Sequence, residues 1–486
     1  MDFPVEAAAS VVVDLAESFN LIGRHKLVRS LQELARDEIF KVIAKEKQRQ
    51  EDEVCLIASE NYVSKNILKA QGSILTNKYA EGYSGKRYYG GCSNIDTIEE
   101  YAIQWAKDLF NAQYANVQPH SGSQANQAVY LALCKPGETI LGMGLDAGGH
   151  LTHGCRASSS GKLYKSVSYG LKEDGTINYE EIAEKLRTYR PRVLVAGASA
   201  YPRAIDFKRL REIVDDHNKW QDEEDAKNLK LYNEGKIADL TPESYPQCVY
   251  CYLMVDMAHI AGLVATGLHQ SPLPYADVVT STTHKTLRGP RGGLILSNNQ
   301  DLFEQLNKAV FPGIQGGPLE HVIAAKALCF NEASSKAFRA YSEQILKNIQ
   351  AMEEVFNEEE VPMVSGGSDN HLLLLDLRKY NITGLQLEQA LEKVGIIVNK
   401  NAVYNDPRPK TETSGIRIGT AAVTTRGFNE DDCAKLARII ACTIKMLASP
   451  LTLSFRDFKV DDHTFSYPEG VKGFVNLLCK SNPIYK

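Results

Sequence analysis

The chain has 486 residues, of which 43% are hydrophobic and 24% are charged, close to the averages for soluble globular proteins. This length exceeds the size at which one hydrophobic core stops growing, so we expect two folded units and terminal arms. The formal net charge of −5 argues against nucleic-acid binding driven by phosphate neutralisation, and no apolar stretch approaches the roughly 20 residues that span a bilayer. We expect neither a dedicated nucleic-acid partner nor a membrane.

The N-terminal segment is acidic and then helical. An acidic start fits neither secretory nor organellar targeting signals, which favours a cytoplasmic location, although removal of an organellar presequence stays open. Apolar residues at near-helical spacing predict a helix over Arg24–Gln50. We expect residues 1–80 to form an N-terminal helical arm.

The ten cysteines are scattered rather than spaced as a disulfide framework, so reduced thiols are expected. Cys248 and Cys251 form a CxxC pair without a second pair that would complete a zinc site. They open the apolar run Val249–Val255, which favours two buried strand thiols over a redox role.

Short apolar runs alternate with helical patterns between Tyr101 and Gln300, which predicts a parallel sheet covered by helices on both faces. The predicted strands are Thr139–Met143, Val193–Gly197, Tyr250–Val255, Val278–Thr280 and Gly293–Leu296. We expect a large domain over residues 81–335. The polar stretch of about 219–247 is predicted to be a surface insertion.

The C-terminal third predicts a smaller α+β domain, residues 336–486. Before it, a helix over Leu302–Phe311 is expected to end at Pro312, followed by a loop to Pro318 that is rich in glycine and proline. A long helical stretch then runs toward Glu360. Strands are expected at His371–Leu377 and Ile396–Val398, and a helix at Asp432–Ala448.

Lys285 follows the strand that begins at Val278 and precedes a glycine-rich loop, Gly289–Gly293. A lysine sequestered there can lose its proton and attack an aldehyde, because the neutral amine is the nucleophile. The alternative is a solvated surface lysine, which is the ordinary fate of an isolated lysine.

Asp256 lies about thirty residues upstream, at the carboxyl end of the strand ending at Val255. Such a carboxylate can pair with a protonated pyridine nitrogen and keep the ring of pyridoxal phosphate (PLP) electron-poor. Alternatively, Asp256 only caps the following turn. Ligands of α/β folds bind at the carboxyl ends of strands, so the pair Lys285 and Asp256 favours the cofactor interpretation.

Two further motifs fit a phosphorylated aromatic cofactor. Residues His120–Asn126 offer hydroxyls and free amides at a helix start, which suits a phosphate, although a plain N-cap is the alternative. Residues Gly148–Gly154 carry two histidines three apart, but no third ligand is evident, so we predict no metal site and favour an imidazole stacked on the cofactor.

Arg417 lies in the short alternating strand Ser414–Thr420. Its planar guanidinium matches a carboxylate in bidentate fashion. A structural salt bridge is an equal alternative.

Together these motifs resemble the serine hydroxymethyltransferase family, within fold type I of the PLP-dependent transferases. The matching blocks cover nearly all of the chain: Leu56–Tyr62, Thr76–Gly91, Pro119–Asn126, Gly148–Gly154, Val255–Gly262, Thr282–Gly293 and Ser414–Thr420. The resemblance implies an α/β fold with a large domain built on a mostly parallel seven-stranded sheet and a smaller C-terminal α+β domain.

The resemblance also implies the roles of individual residues. Lys285 would hold PLP as a Schiff base, and Asp256 would bind the pyridine nitrogen. The other implied cofactor residues are His150, stacked on the ring, Ser121, Gly122, Ser123, Ser199, His259 and His284, with Tyr79, Gly316 and Gly317 from a neighbouring subunit. The implied substrate residues are Arg417 and Ser59 at the carboxylate, and the partner's Tyr89 and Glu81. The implied folate residues are Glu81, Tyr88, Leu145, Leu151 and Asn401.

The implied reaction transfers the serine hydroxymethyl carbon to tetrahydrofolate, giving glycine and 5,10-methylenetetrahydrofolate. Glu81 would manage the proton that leaves the hydroxymethyl group, and the site would be shared between two subunits of a homodimer or a pair of dimers. Two departures from the family pattern are the insertion and Tyr404, which replaces a frequent proline near Asn401 and puts folate affinity in doubt.

Two other functions stay open on the sequence. A PLP-dependent aldolase for β-hydroxy amino acids would share the carbanion chemistry without needing folate. A non-catalytic scaffold or RNA-binding regulator would keep the fold without turnover, although the joint presence of Lys285, Asp256, Glu81 and Arg417 speaks against it.

Overall fold

A computed structural model of the chain describes residues 21–234, 250–449, 457–460 and 463–485. Two compact units make up the chain, residues 1–53 and residues 54–486. The first contains the helix Leu21–Asp52, which confirms the predicted N-terminal helix. The predicted domain boundaries at residues 80 and 335 remain predictions.

The second unit is built around a seven-stranded sheet. From one edge to the other, the strands are Tyr114–Asn116, Gly293–Ser297, Val278–Thr282, Tyr252–Asp256, Val193–Ala196, Thr139–Met143 and Lys165–Tyr169. Neighbouring strands are parallel except at Gly293–Ser297, which is antiparallel to both of its neighbours. The expected α/β fold with a mostly parallel sheet is confirmed.

Alternate side chains of the central strands enter two separate cores, as the twofold period of a strand requires. Leu253 and Val255 pack into one core, whereas Met254 packs into the other. All three are fully buried. The helices between residues 65 and 333 are Lys65–Gln71, Ser93–Phe110, Gly122–Leu133, Ser159–Leu163, Tyr179–Tyr189, Phe207–Asn233, Ala261–Ala265, Gln300–Lys308 and Glu320–Ala333.

A third core lies beneath a three-stranded antiparallel sheet of the strands Leu372–Asp376, Gly415–Gly419 and Asn399–Asn401. The helices that follow residue 335 are Lys336–Glu358, Gly384–Lys393, Ala421–Arg426, Glu430–Ala448 and Glu469–Ser481. The remaining strands form two-residue or four-residue pairs: Val54–Cys55 with Ile396–Ile397, Gly82–Tyr83 with Lys86–Arg87, and Asp457–Val460 with His463–Ser466.

Three local predictions change. The predicted helix Leu302–Phe311 is instead Gln300–Lys308, followed by a π-helical turn, Ala309–Ile314, that contains Pro312. The first half of the predicted insertion continues the helix Phe207–Asn233, and residues 235–247 lie outside the described residues.

Of the CxxC pair, Cys248 lies outside the described residues. Cys251 is fully buried, but it precedes the strand Tyr252–Asp256 rather than lying in it. Burial raises the pKa of its thiol to about 12, so the reactive thiolate is disfavoured. Across the described ranges, no helix combines the length and apolar character that crossing a bilayer requires.

Candidate active site

A cavity of about 490 Å³ opens at the carboxyl ends of the central strands, within the size range of small-molecule sites. It brings together fourteen of the predicted site residues: Ser59, Ser121, Gly122, Ser123, Leu145, His150, Leu151, Ser199, Asp256, His259, His284, Lys285, Asn401 and Arg417. Lys285 and Asp256 therefore face one cavity, as the sequence argument requires.

Lys285 is buried, which excludes the alternative of a solvated surface lysine. Its backbone adopts φ +63°, a left-handed conformation that side-chain-bearing residues rarely adopt. Asn61 Nδ2 donates to its carbonyl oxygen at 2.7 Å and helps to hold this conformation. Burial lowers the pKa of the amine to about 8, although the negative charge of Asp256 opposes this shift.

The depressed pKa of Lys285 predicts how its reactivity changes with pH. Below about pH 8 most of the amine is protonated, so the rate of covalent capture of an added aldehyde should rise about tenfold per pH unit and level off above about pH 8. Stopped-flow absorbance of the apoprotein mixed with PLP measures this rate, with Lys285→Ala as the control. A rate that keeps rising steeply between about pH 9 and 10 would show an ordinary lysine instead.

Asp256 ends its strand and pairs in register with Thr280 on the next strand. Its Oδ2 accepts from Asn126 Nδ2 at 2.9 Å and lies 3.1 Å from His153 Nε2, while its Oδ1 accepts from the Ala258 amide. Burial alone would raise the pKa of Asp256, but the hydrogen bond from His153 and nearby positive charge outweigh it, so the pKa is lowered. Asp256 thus caps the turn and also presents a fixed negative charge to the cavity.

The two histidines of the glycine-rich loop differ in their hydrogen bonds. His153 Nδ1 accepts from the His150 amide, so its Nε2 carries the proton donated to Asp256. His150 Nδ1 accepts from the Thr152 amide and lies 2.7 Å from Thr152 Oγ1. Burial lowers the pKa of His150 to about 4, so its imidazole is neutral at pH 7.

Along the sequence, the two histidines have no evident third metal ligand. In the structure, candidate ligand atoms of His150, His153 and Asp256 all lie within 4.8 Å of one another. Hydrogen bonds already account for this closeness, since His153 donates to Asp256 and His150 accepts from Thr152. The absence of a metal site stays a prediction.

Arg417 is buried, and across the described ranges no acidic side chain lies within ion-pair distance of it. Its guanidinium donates to the Ser199 carbonyl at 2.7 Å and to Asn399 Oδ1 at 3.1 Å, and it lies 3.4 Å from Ser59 Oγ. Burial lowers its pKa to about 10, so it is still charged at pH 7. These contacts favour a carboxylate-binding role over the structural salt bridge.

The helix Gly122–Leu133 points its N-terminus at the cavity, with Ser121 as its N-cap. Ser121 Oγ accepts from the Gln124 amide at 3.2 Å, so Ser121 does cap the helix. The same helix end also offers backbone N–H groups to an anion, because the first turn of a helix leaves them without internal partners.

Two buried polar atoms at the cavity lack hydrogen-bond partners within the described part of the chain. They are His284 Nδ1 and Thr282 Oγ1, and both residues line the cavity. Such atoms are costly to bury unpaired. With the buried amine, the fixed carboxylate and the helix N-terminus, they fit a flat, polar, phosphorylated ligand such as PLP.

Six predicted residues do not line this cavity: Tyr79, Glu81, Tyr88, Tyr89, Gly316 and Gly317. Five of them form an exposed patch elsewhere on the same chain. Tyr79 Oη donates to Glu81 Oε1 at 3.1 Å, the rings of Tyr79 and Tyr89 meet edge to face, and Gly316 and Gly317 lie against Tyr79. Tyr88 instead contacts Phe311 and is 74% exposed. The negative charge of Glu81 raises the pKa of Tyr89.

Asp256 is held in place by residues that the sequence does not point to. Asn126 Nδ2 also donates to Thr152 Oγ1, and Asn126 Oδ1 accepts from Thr280 Oγ1. Asn126 lies within the motif His120–Asn126, but no sequence signal pairs it with Asp256. Tyr404 packs near Gly170 and lines a different cavity from Asn401.

Comparison with known proteins agrees with this geometry. A family profile described as serine hydroxymethyltransferase matches residues 32–221 and 244–440, and the gap lies within the predicted insertion. "Serine hydroxymethyltransferase" of Chromohalobacter salexigens is 55% identical over 452 residues, covering 93% of this chain and 97% of that protein.

Two further relatives show the same likeness. "Serine hydroxymethyltransferase 1" of Pseudomonas fluorescens is 51% identical, covering 92% of this chain and 96% of that protein. "Serine hydroxymethyltransferase" of Limosilactobacillus reuteri is 54% identical, covering 84% and 92%. On the strength of these matches and the cavity they accompany, the chain belongs to the serine hydroxymethyltransferase family.

Proposed function

We propose that this chain binds PLP through Lys285 and transfers the hydroxymethyl carbon of serine to tetrahydrofolate, giving glycine and 5,10-methylenetetrahydrofolate. The single observation that carries the proposal is the cavity common to both residues, with a buried lysine of depressed pKa and a largely buried, ionised aspartate on its wall. PLP, when bound, supplies an electron-poor ring that absorbs the electron pair released when serine loses its Cβ.

The residues of the cavity have separate roles in binding the cofactor. Lys285 provides the amine that holds the cofactor, and the carboxylate of Asp256 favours the protonated ring nitrogen, because opposite charges stabilise each other strongly in a buried site. The neutral imidazole of His150 offers a flat face to the ring. The N-terminus of the helix Gly122–Leu133, with Ser121 and Ser123, binds the phosphate.

The substrate carboxylate binds the buried guanidinium of Arg417, and Ser59 lies beside it. This contact orients serine in the cavity. Leu145, Leu151 and Asn401 line the same cavity at positions proposed for folate.

Glu81, Tyr79 and Tyr89 are proposed to act in the cavity of a partner subunit. This part of the proposal is supported by their clustering in one exposed patch with Gly316 and Gly317, outside their own chain's cavity. Glu81 would move the proton of the serine hydroxyl, and Tyr89 would cover the substrate. We therefore propose a homodimer, or a pair of dimers. We also propose a cytoplasmic location.

Absorbance and product formation test the function directly. Purified protein should bind PLP with a yellow absorbance band, and serine with tetrahydrofolate should give methylenetetrahydrofolate. Cleavage of threonine-type substrates with no response to tetrahydrofolate would show the aldolase instead. No absorbance change on adding PLP would support the scaffold.

A mixing experiment tests the shared site. Glu81→Gln and Lys285→Ala should each be nearly inactive in folate-dependent transfer. In a hybrid dimer, one shared site carries both substitutions and the other carries neither. Random mixing makes about half of all dimers hybrids, so about a quarter of all sites should regain activity. Mixed Lys285→Ala and Asp256→Asn is the matched control: both residues line the same chain's cavity, so no hybrid site is intact. No recovery in the first mixture would contradict sharing.

A further inference from the structure

The stretch Val117–His120 connects the strand Tyr114–Asn116 to the N-cap Ser121. Lys326 Nζ donates to the carbonyl oxygens of Val117 and Pro119, at 2.6 and 2.9 Å. Successive carbonyls of extended backbone point to opposite sides. One ammonium group therefore holds every second carbonyl along one side of this stretch.

Gln315 holds the other side of the same stretch. Its Nε2 donates to the Gln118 carbonyl and its Oε1 accepts from the His120 amide, both at 3.0 Å. Gln315 and Lys326 together fix four consecutive residues, and we call this pair the Lys326–Gln315 clamp. The clamp ends one residue before Ser121, the N-cap of the helix that points at the cavity.

Lys326 also ties this stretch to the loop that follows Lys285. Its Nζ donates to the Gly293 carbonyl at 2.8 Å, and the Gly293 amide donates to the Pro119 carbonyl. A Cβ on Gly292 would clash with Lys326 Cε, so glycine there leaves room for the lysine. The two cavity walls that carry Ser121 and Lys285 are thus joined through one side chain.

This arrangement is costly for a purely structural contact. Lys326 is 1% exposed, and across the described ranges no carboxylate lies within ion-pair distance of its Nζ. Burial lowers the pKa of the amine to about 7, although Glu99 and Glu320 oppose the shift. Three carbonyl acceptors require three N–H donors, which only the ammonium form has.

We propose that Lys326 and Gln315 are positioning residues for the reaction: the clamp presets the backbone before Ser121 so that the helix N-terminus binds the cofactor phosphate without rearranging. The inference rests on the proposed function, because it assigns the clamp to the PLP phosphate. Preset backbone donors cost little to order on binding, so losing the clamp weakens the contacts to the phosphate selectively.

Comparing PLP with pyridoxal, which lacks the phosphate, tests the clamp on the full-length apoprotein. Lys326→Met should weaken PLP binding on the order of tenfold or more and leave pyridoxal affinity unchanged, as measured by fluorescence titration. Lys336→Met, which removes an exposed lysine, should change neither affinity. Ile440→Ala, a buried change in the third core, controls for lost stability and should not change the ratio of the two affinities.

Equal losses for PLP and pyridoxal in Lys326→Met, or no loss at all, would overturn the clamp. Should that variant fail to fold, Gln315→Leu removes the contacts on the opposite side, and the same two outcomes apply to it. Wild-type protein that does not bind PLP would refute the proposed function itself. If the wild-type protein binds PLP more tightly than pyridoxal and the variants keep the same ratio of the two affinities, only the clamp would be refuted.

Discussion

Replacing Lys285 with alanine is expected to abolish covalent attachment of PLP and to reduce turnover by roughly 10³-fold or more, the range for losing a nucleophile that acts together with its neighbours. The fold should survive, because the change removes a buried amine whose burial disfavours its charge. Borohydride reduction followed by mass spectrometry measures the covalent link, and thermal unfolding measures stability.

Lys172→Ala is the matched control for that substitution, because Lys172 is an exposed lysine outside the cavity. It should keep the borohydride-fixed mass increase and normal turnover. Serine cleavage at the wild-type rate by Lys285→Ala would refute the assignment of the cofactor lysine.

Replacing Asp256 with asparagine is expected to lower kcat on the order of 10³-fold, comparable to losing a preorganised electrostatic contact. The amide carries no charge for the ring nitrogen. In either orientation of the new side-chain amide, its NH₂ group would face another N–H donor. The reason is that Asn126 and His153 donate to Oδ2, and Ala258 donates to Oδ1. Steady-state kinetics and the absorbance of bound PLP report the change.

Asp277→Asn provides the comparison for Asp256. Asp277 also lies in the sheet region and accepts from Arg211 and from the Leu253 amide, but it does not line the cavity. Its substitution should reduce thermal stability and leave kcat unchanged. Full turnover by Asp256→Asn would show that the reaction does not depend on this carboxylate.

The sheet, and the edge of it that carries the site, could be predicted from the sequence because the end of a strand is marked by residues adjacent in the chain. Asp256 and Lys285 each follow an apolar run, and parallel strands present their carboxyl ends at one edge. The strand Gly293–Ser297 was predicted as an apolar run, but its antiparallel direction was not. Its connection from the strand Val278–Thr282 is too short for the crossover that a parallel neighbour needs.

The support around Asp256 could not be predicted from spacing. Asn126, Thr152 and Thr280 come from three separate segments and meet only in the folded chain. No periodicity links such residues. The two-residue strand Val54–Cys55 was also missed, because two residues are too few to show an alternating pattern.

The exposed patch was reached through family resemblance alone. Tyr79 and Gly317 are far apart in the chain, and no local pattern joins them. Only the family resemblance indicates that the patch acts in the cavity of another subunit. The contacts of Tyr79 with Glu81 and the two glycines are consistent with that role.

Gln315 contacts the backbone that leads to Ser121, and its neighbour in the chain contacts the exposed patch. Its side chain holds the backbone that leads to Ser121 in its own cavity, and the next residue, Gly316, lies against Tyr79 and Glu81 in the patch proposed to complete the neighbouring cavity. In the proposed dimer, the side chain and the neighbour of one residue would therefore set the geometry of two active sites at once, the phosphate loop of its own chain and a wall of the other.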